Sequence, residues 1–176
     1  MPASRLKHPA GATVALLLAA LLGGCASAPP EAQLAADRVE VRKSERKLTL
    51  IQNGKAVREY RVALGKNPYG HKEREGDNRT PEGDYVLNWR NPNSNFHKSI
   101  NISYPDEVDR WLAQARGVSP GGLIMIHGLP NYIRSPAVMR EYQGRDWTNG
   151  CIAVENHEMD EIWAAVKDGT PIRILP

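Results

Sequence analysis

Two residues in this chain have the types and settings for covalent chemistry. His127 closes the apolar run Leu123-Ile124-Met125-Ile126 and is followed by Gly128. Cys151 follows Asp146-Trp147-Thr148-Asn149-Gly150 and opens a second apolar stretch reaching Val154. A thiol becomes a strong nucleophile only as a thiolate, and an imidazole within reach can take its proton. A histidine at the end of a buried strand is held firmly yet stands at the sheet's rim. If these two runs are neighbouring strands, His127 and Cys151 meet at one sheet edge, with Cys151 as nucleophile and His127 as base. Gly150 then leaves room for an approaching carbonyl, and the backbone N–H groups of Gly150 and Cys151 are placed to hold an oxyanion. That is acyl-transfer chemistry. Alone, His127 reads as a structural histidine and Cys151 as a small buried hydrophobe; the pairing of the two reverses that reading.

The chain has only one other cysteine, Cys25, and its setting differs. Arg5 and Lys7 precede the apolar run Ala10–Leu22, which is too short to span a bilayer comfortably but suits the core of a secretory signal. The run ends in Leu22-Gly23-Gly24-Cys25, which resembles a bacterial lipobox; an ordinary signal peptide is the alternative. The expectation is a lipoprotein signal over 1–24, lipidation at Cys25, a tether over 25–37 and a catalytic domain over 38–176. Cys151 then has no disulfide partner within the chain, and a lone thiol in an exported protein marks a reactive candidate. Ala26 follows Cys25 where an aspartate does not. By resemblance to Gram-negative lipoproteins, this points to a periplasm-facing protein on the outer membrane's inner leaflet. The formal charge of +3 falls to about +1 once Arg5 and Lys7 are removed, so the basic balance argues for no nucleic-acid partner. Nor does the sequence call for a cofactor. A metal site of Cys151, His127 and His157 is disfavoured, because His157 falls at the start of a helix on its solvated side.

The elements that must position this pair are short. Leu48–Gln52 and Lys55–Leu64 flank Asn53-Gly54, a strong signal of a two-residue hairpin. Gly65–Gly83 is punctuated too densely by Gly and Pro for regular structure. Further strands are expected at Tyr85–Asn88, Ile100–Ser103, Leu123–Ile126, Cys151–Val154 and Ile172–Leu175. Three helices intervene. The first opens at Pro105, with Val108, Trp111, Leu112 and Ala115 on one face and the tryptophan as a core anchor. The second runs from Ser135-Pro136 to Gly144. The third is capped by Asn156 and carries Met159, Ile162, Trp163 and Val166 on one stripe. The fold class expected is α+β, mainly β, in a single domain.

His127-Gly128, followed by Thr148-Asn149-Gly150-Cys151-Ile152, resembles the signature of L,D-transpeptidase catalytic domains of the YkuD type. Gly76-Asp77 with Thr80-Pro81-Glu82-Gly83 is similar to that family's upstream G-D-x-x-T-P-x-G segment. The resemblance covers roughly Val39 to Leu175. It implies a β-rich sandwich or barrel with a few inserted helices, and a role in peptidoglycan biosynthesis, cell-wall organisation and cell shape. It further implies that Cys151 attacks the carbonyl after the L-centre of a diamino acid in a tetrapeptide stem. A terminal D-amino acid leaves, and an amine from another stem or protein resolves the thioester. His127 acts first as base, then as acid, with a backbone carbonyl able to orient its other nitrogen. Carbapenems are expected as covalent inhibitors.

Two departures matter. Asn149 stands where many members have His, and Ala153 where many carry Arg. The loss of a bidentate guanidinium calls for a replacement, with Arg79 the first candidate and Arg134, Arg140 or Arg145 behind it. Gly128, Thr148 and Asn149 are further substrate-binding candidates, and Tyr69 and Ser94-Asn95-Phe96 are expected along the groove. The Asp-Trp-Thr-x-Gly-Cys-Ile-Ala-Val form looks like the YafK-related branch, which includes a hydrolase releasing a lipoprotein from peptidoglycan. An L,D-amide hydrolase is therefore the alternative enzyme, and an inactive peptidoglycan-binding lipoprotein the alternative without chemistry.

Overall fold

Asn53 and Gly54, with φ of 52° and 75°, supply the two positive φ values that a tight hairpin turn demands. They join β2 (Lys47–Gln52) to β3 (Lys55–Arg61), and β1 (Arg38–Arg42) pairs with β2 on its other side. The computed structural model describes residues 34–176 together with Met1. The expected signal, the lipobox with Cys25 and most of the tether lie outside the described residues.

Beyond the hairpin come β4 (Gly83–Ser94), β5 (His97–Ile102), α1 (Glu107–Ala115), β6 (Met125–His127), α2 (Pro136–Gln143), β7 (Ile152–Ala153), α3 (Asn156–Ala165) and β8 (Thr170–Leu175). The strands form one sheet in the order β3-β2-β1-β8-β4-β5-β6-β7. β1–β8 and β6–β7 are parallel, and the remaining pairs are antiparallel. Alternation along the strands buries Val39, Val41, Leu48, Leu50, Ile172 and Ile174 on one face. Met159, Ile162 and Ala165 of α3 join the same core. Each such aliphatic side chain contributes roughly 1.5–3 kcal/mol by leaving water.

The chain leaving β3 then curls the sheet into a half-barrel. Ala63 exchanges two hydrogen bonds with Ala153, at 2.9 and 2.8 Å. Thr148 N–H donates to Leu64 O at 3.1 Å, and Lys66 N–H to Thr148 O at 2.9 Å. The stretch after β3 thus pairs with β7 at the far end of the sheet and with the turn before Cys151.

The helices depart from expectation in detail. α1 is capped by Asp106, whose carboxylate accepts the Asp109 N–H at 2.8 Å while Asp109 accepts the Asp106 N–H at 3.0 Å. Its buried residues are Asp109 and Ala113, whereas Val108 and Trp111 are 61% and 66% exposed. Trp111 is therefore no core anchor: the helix turns Asp109 inward to meet Tyr85 Oη at 3.1 Å and His71 Nε2 at 3.0 Å. α3 is capped by Glu155, not Asn156, whose Oδ1 instead accepts the Leu129 N–H at 2.8 Å.

Candidate active site

β6 and β7 bring the two reactive residues together through their register. Ile126 pairs with Ile152 and His127 with Ala153. One step back, Cys151 comes beside Met125, on the face that His127 shares, because side chains alternate along a strand. Both open into a cavity of about 360 Å³, lined also by Lys66, Ser94, Phe96, Ser99, Leu123, Met125, Trp147, Thr148 and Asn149.

His127 is 4% exposed. The Phe96 ring lies 4.6 Å from its imidazole, centroid to centroid, and the Trp147 ring 5.6 Å. Its Nδ1 is 2.7 Å from the Gly128 carbonyl oxygen. A carbonyl only accepts, so Nδ1 carries the proton and Nε2 keeps its lone pair. Burial pushes the imidazole down to about 4, with the Gly128 carbonyl pulling weakly the other way. It is a neutral base at pH 7. Gly128 makes this geometry possible by lacking a side chain, since a Cβ there would sit 2.6 Å from Asn156 Oδ1 and 2.9 Å from His97 Cβ. Its N–H donates to Phe96 O at 3.0 Å. Gly128 is outside the cavity lining and orients His127 instead of meeting a ligand.

Cys151 is half-buried and, among the described residues, is the free cysteine. Its thiol lies 3.6 Å from Leu123 O, to which it donates, and it accepts from Met125 N–H. Burial pushes the thiol up; the Met125 N–H and the more distant Lys72 only partly offset this. The resting pair is a neutral thiol, donating to Leu123 O, and a neutral imidazole that lines the same cavity. Leu123 holds the thiol's acceptor at a positive φ of 54°, a conformation costly for a branched side chain.

The turn before Cys151 is tied internally. Thr148 Oγ1 donates to Cys151 O at 2.7 Å and accepts the Gly150 N–H at 3.1 Å. The Gly150 N–H is thereby committed, which corrects its expected place in an oxyanion hole. The Cys151 N–H has no acceptor among the described residues. Gly150 also leaves no opening for a substrate: at φ 135°, a Cβ there would lie 2.7 Å from Arg79 O and 3.1 Å from Ile124 Cδ1. The absent side chain makes room for the Gly65–Gly83 loop.

That loop is fastened by buried lysines. Lys43 Nζ donates to Gly70 O (2.6 Å), Thr80 O (3.0 Å) and Glu82 (2.7 Å). Lys72 Nζ donates to Asp77 at 2.8 Å, and Asp77 also accepts the backbone N–H groups of Glu73, Arg74 and Arg79. These contacts hold the Asp77 carboxyl at about 2 against the opposing effect of burial. Thr80 Oγ1 accepts the Gly65 N–H at 3.0 Å.

Arg79 does not reach the cavity. Its guanidinium lies 3.3 Å from His71 O and 3.6 Å from Glu73, because its backbone is packed against Gly150 and turns the side chain outward. Tyr69 lines a separate hollow with Arg46, Arg61 and Arg145, while Ser94 and Phe96 line the cavity as expected. Thr148 is buried and Asn149 exposed; both line the cavity. His157 is 68% exposed beside Glu155, away from the cavity. Sequence reasoning missed Lys66, Ser99, Leu123, Met125 and Trp147 as lining residues. For Trp147, four residues before Cys151, the signal was its place in the motif. A second hollow of about 330 Å³ shares Asn149 and is lined by Lys72, Glu75, Gly76, Asn78, Gly121, Gly122 and Ile124.

A half-barrel carrying a cysteine and a buried histidine on adjacent parallel strands defines a class, and comparison with known proteins gives it a name. Residues 36–174 match the YkuD model, the L,D-transpeptidase catalytic domain, and the chain belongs to that family. It is 32% identical over 134 residues to YafK of Escherichia coli (strain K12), covering 73% of this chain and 46% of that protein. To YqjB of Bacillus subtilis (strain 168) it is 27% identical over 139 residues, covering 77% and 69%. Both relatives bear L,D-transpeptidase in their names. Among solved structures, the helical cell shape determining protein Pgp2 from Campylobacter jejuni superposes with a TM-score of 0.59 at 27% identity, covering 77% of this chain and 46% of that one. The chain thus spans about half the length of YafK and of Pgp2.

Proposed function

We propose that this protein is a cysteine L,D-transpeptidase that forms a thioester between Cys151 and a peptidoglycan tetrapeptide stem, then transfers the acyl group to an amine. One observation carries the reading: Cys151 and a neutral His127, its Nδ1–H tied to Gly128 O, open into one cavity. Nε2 takes the thiol proton as Sγ attacks the scissile carbonyl carbon. The Cys151 N–H, without another acceptor, supports the oxyanion. The tetrahedral intermediate collapses, the C–N bond breaks, and His127 returns the proton to the leaving amine of the D-amino acid. An incoming amine then attacks the thioester while His127 accepts its proton and the thiol is released.

Hydrolysis of the same thioester is the second reading. The hollow beyond Asn149 is lined by Lys72, Glu75 and Asn78, polar groups that suit water as well as an amine. The decisive experiment is mass spectrometry of products from a defined disaccharide-tetrapeptide. Crosslinked or amino-acid-exchanged products support transfer, and shortened products alone mean hydrolysis. Cys151→Ala should abolish both with the fold intact, and retained turnover would overturn the reading. An intact-mass adduct with a carbapenem on the native protein, absent from that variant, is expected as well.

We also propose that Cys25 carries a lipid that holds the protein at the outer membrane. Cys25→Ser should move it from the membrane fraction to the soluble periplasm. Native protein already soluble there would contradict this.

A further inference from the structure

At neutral pH the cavity holds a single formal charge. Ten of its eleven lining residues are neutral: His127 because burial disfavours its cation, Cys151 because burial disfavours its anion, and eight others by type. The eleventh is Lys66. Its ammonium donates to Asn149 Oδ1 at 3.1 Å, an uncharged acceptor, and no carboxylate among the described residues lies within ion-pair distance. The cation that acts on the resting thiol is Lys72, and it is already matched by Asp77 at 2.8 Å, so it is not free to pair a ligand.

Lys66 is also held in place by its backbone. Its N–H donates to Thr148 O, the preceding Gly65 N–H to Thr80 Oγ1, and the following Asn67 N–H to Asn78 O at 3.1 Å. A Cβ at Gly65 would come within 2.1 Å of Asn78 O, so the strand and loop are in direct backbone contact there. An unpaired cation on a fixed backbone, two residues from the nucleophile through Asn149, is built to receive an anion. Ala153 offers none of the charge that a guanidinium would bring.

We infer that Lys66 is a specificity-determining residue that pairs a carboxylate of the ligand beside the bond attacked by Cys151, with Asn149 holding the ammonium until that carboxylate arrives. The peptide form of this inference rests on the proposed function, but the charge preference itself does not. In a tetrapeptide stem, the carboxylate could be the terminal one on the leaving residue or the free one on the diamino acid.

Two measurements test it. The first uses iodoacetate and its neutral counterpart iodoacetamide as alkylators of Cys151 at pH 7. In each, the sulfur bonds to the methylene carbon, iodide leaves to solvent and the thiol proton passes to a base, so the ratio of their rates reads the charge of the cavity. Lys66→Gln should lower the iodoacetate-to-iodoacetamide ratio by about tenfold, and Lys66→Arg should largely preserve it. An unchanged ratio in Lys66→Gln overturns the inference whatever the natural substrate. The second compares kcat/KM for the free tetrapeptide with peptides amidated at one carboxylate or the other. Wild type should disfavour one amide by about ten- to a hundredfold, and Lys66→Gln should erase that preference. The amide that matters identifies the carboxylate. If Lys66→Gln lowers all three substrates equally, Lys66 is not the anchor. Lys66 is exposed, so a folding defect is not expected, and a thermal unfolding midpoint checks this.

Discussion

Two segments flank the cavity, and their sequences suggest the opposite of what they do. Gly65–Gly83 has no regular structure, yet Lys43, Lys72, Asp77 and Thr80 fasten it from within, each with several hydrogen-bond partners. Residues 129–146, which link His127 to the Cys151 turn, contain the regular helix α2, and that helix buries no residue. It is attached by side contacts: Tyr142 against Trp147 at 5.0 Å, Tyr132 Oη to Tyr142 Oη at 3.3 Å, and Arg61 Nε to Gln143 O at 3.4 Å. Regular secondary structure satisfies its own backbone and asks little of its neighbours, whereas an irregular loop beside a core must find partners for every buried polar group. The fixed segment is therefore the loop, which gives Lys66 to the cavity, and the helix, which lines none of it, is an adaptable cover over Trp147.

The strongest way to break this comparison is Lys43→Met. The substitution leaves Gly70 O, Thr80 O and Glu82 without their cation, and breaking a buried pair from one side costs about 3–5 kcal/mol. Because Arg79 O abuts Gly150, turnover should fall with stability. Denaturant unfolding reads the effect. A loss below about 1 kcal/mol, the usual worth of an exposed ion pair, would mean the loop is not held as described.

A second test uses pH. The His127 imidazole is held at about 4, below its ordinary value, so the unfolded chain binds a proton more readily than the folded one. Stability contributed by this group is full above pH 6.5 and declines as pH falls toward 4, by about 3 kcal/mol at most. His127→Gln should flatten that stretch of the stability–pH curve. The same slope in the variant would assign the loss to other groups. Catalysis should keep a neutral base down to about pH 4, so an acid limb near pH 6.5 would show that His127 is less buried in solution.

Much of this was legible in the sequence, and the exceptions share a cause. The Asn53-Gly54 hairpin and the turn before Cys151 depend on local chemistry and lie where expected. The strand expected over Leu123–Ile126 instead runs Met125–His127, because Leu123 turns to a positive φ before it. Arg79 and Lys66 both sit in the glycine-rich loop, and nothing local says which faces the cavity. That is decided by Arg79 O meeting Gly150 and by Lys66 N–H meeting Thr148 O, contacts between segments some seventy to eighty residues apart. α1 fails similarly. Its apolar stripe marks Val108 and Trp111 for burial, but the partners in place, His71 and Tyr85, are polar and select Asp109. Hydropathy identifies a buried face only when the surface opposite is apolar.

The smallest effect on stability should come from the cover, and it sharpens the comparison most. Tyr142→Ala removes one edge-on aromatic contact with Trp147, worth about 0.5–1.5 kcal/mol, from a helix with no buried residues of its own. Stability should change little. Trp147, however, also packs on the edge of the His127 ring, so loosening the helix admits water beside the imidazole. Because burial is what holds that group down to about 4, hydration should move it back toward its ordinary value near 6.5. The acid limb of Cys151 alkylation should then rise with it, leaving the rate above pH 8 nearly unchanged. A pH profile of iodoacetamide labelling in wild type and Tyr142→Ala measures the shift directly. An unmoved limb with reduced stability would mean that α2 supports the fold and does not cover the base.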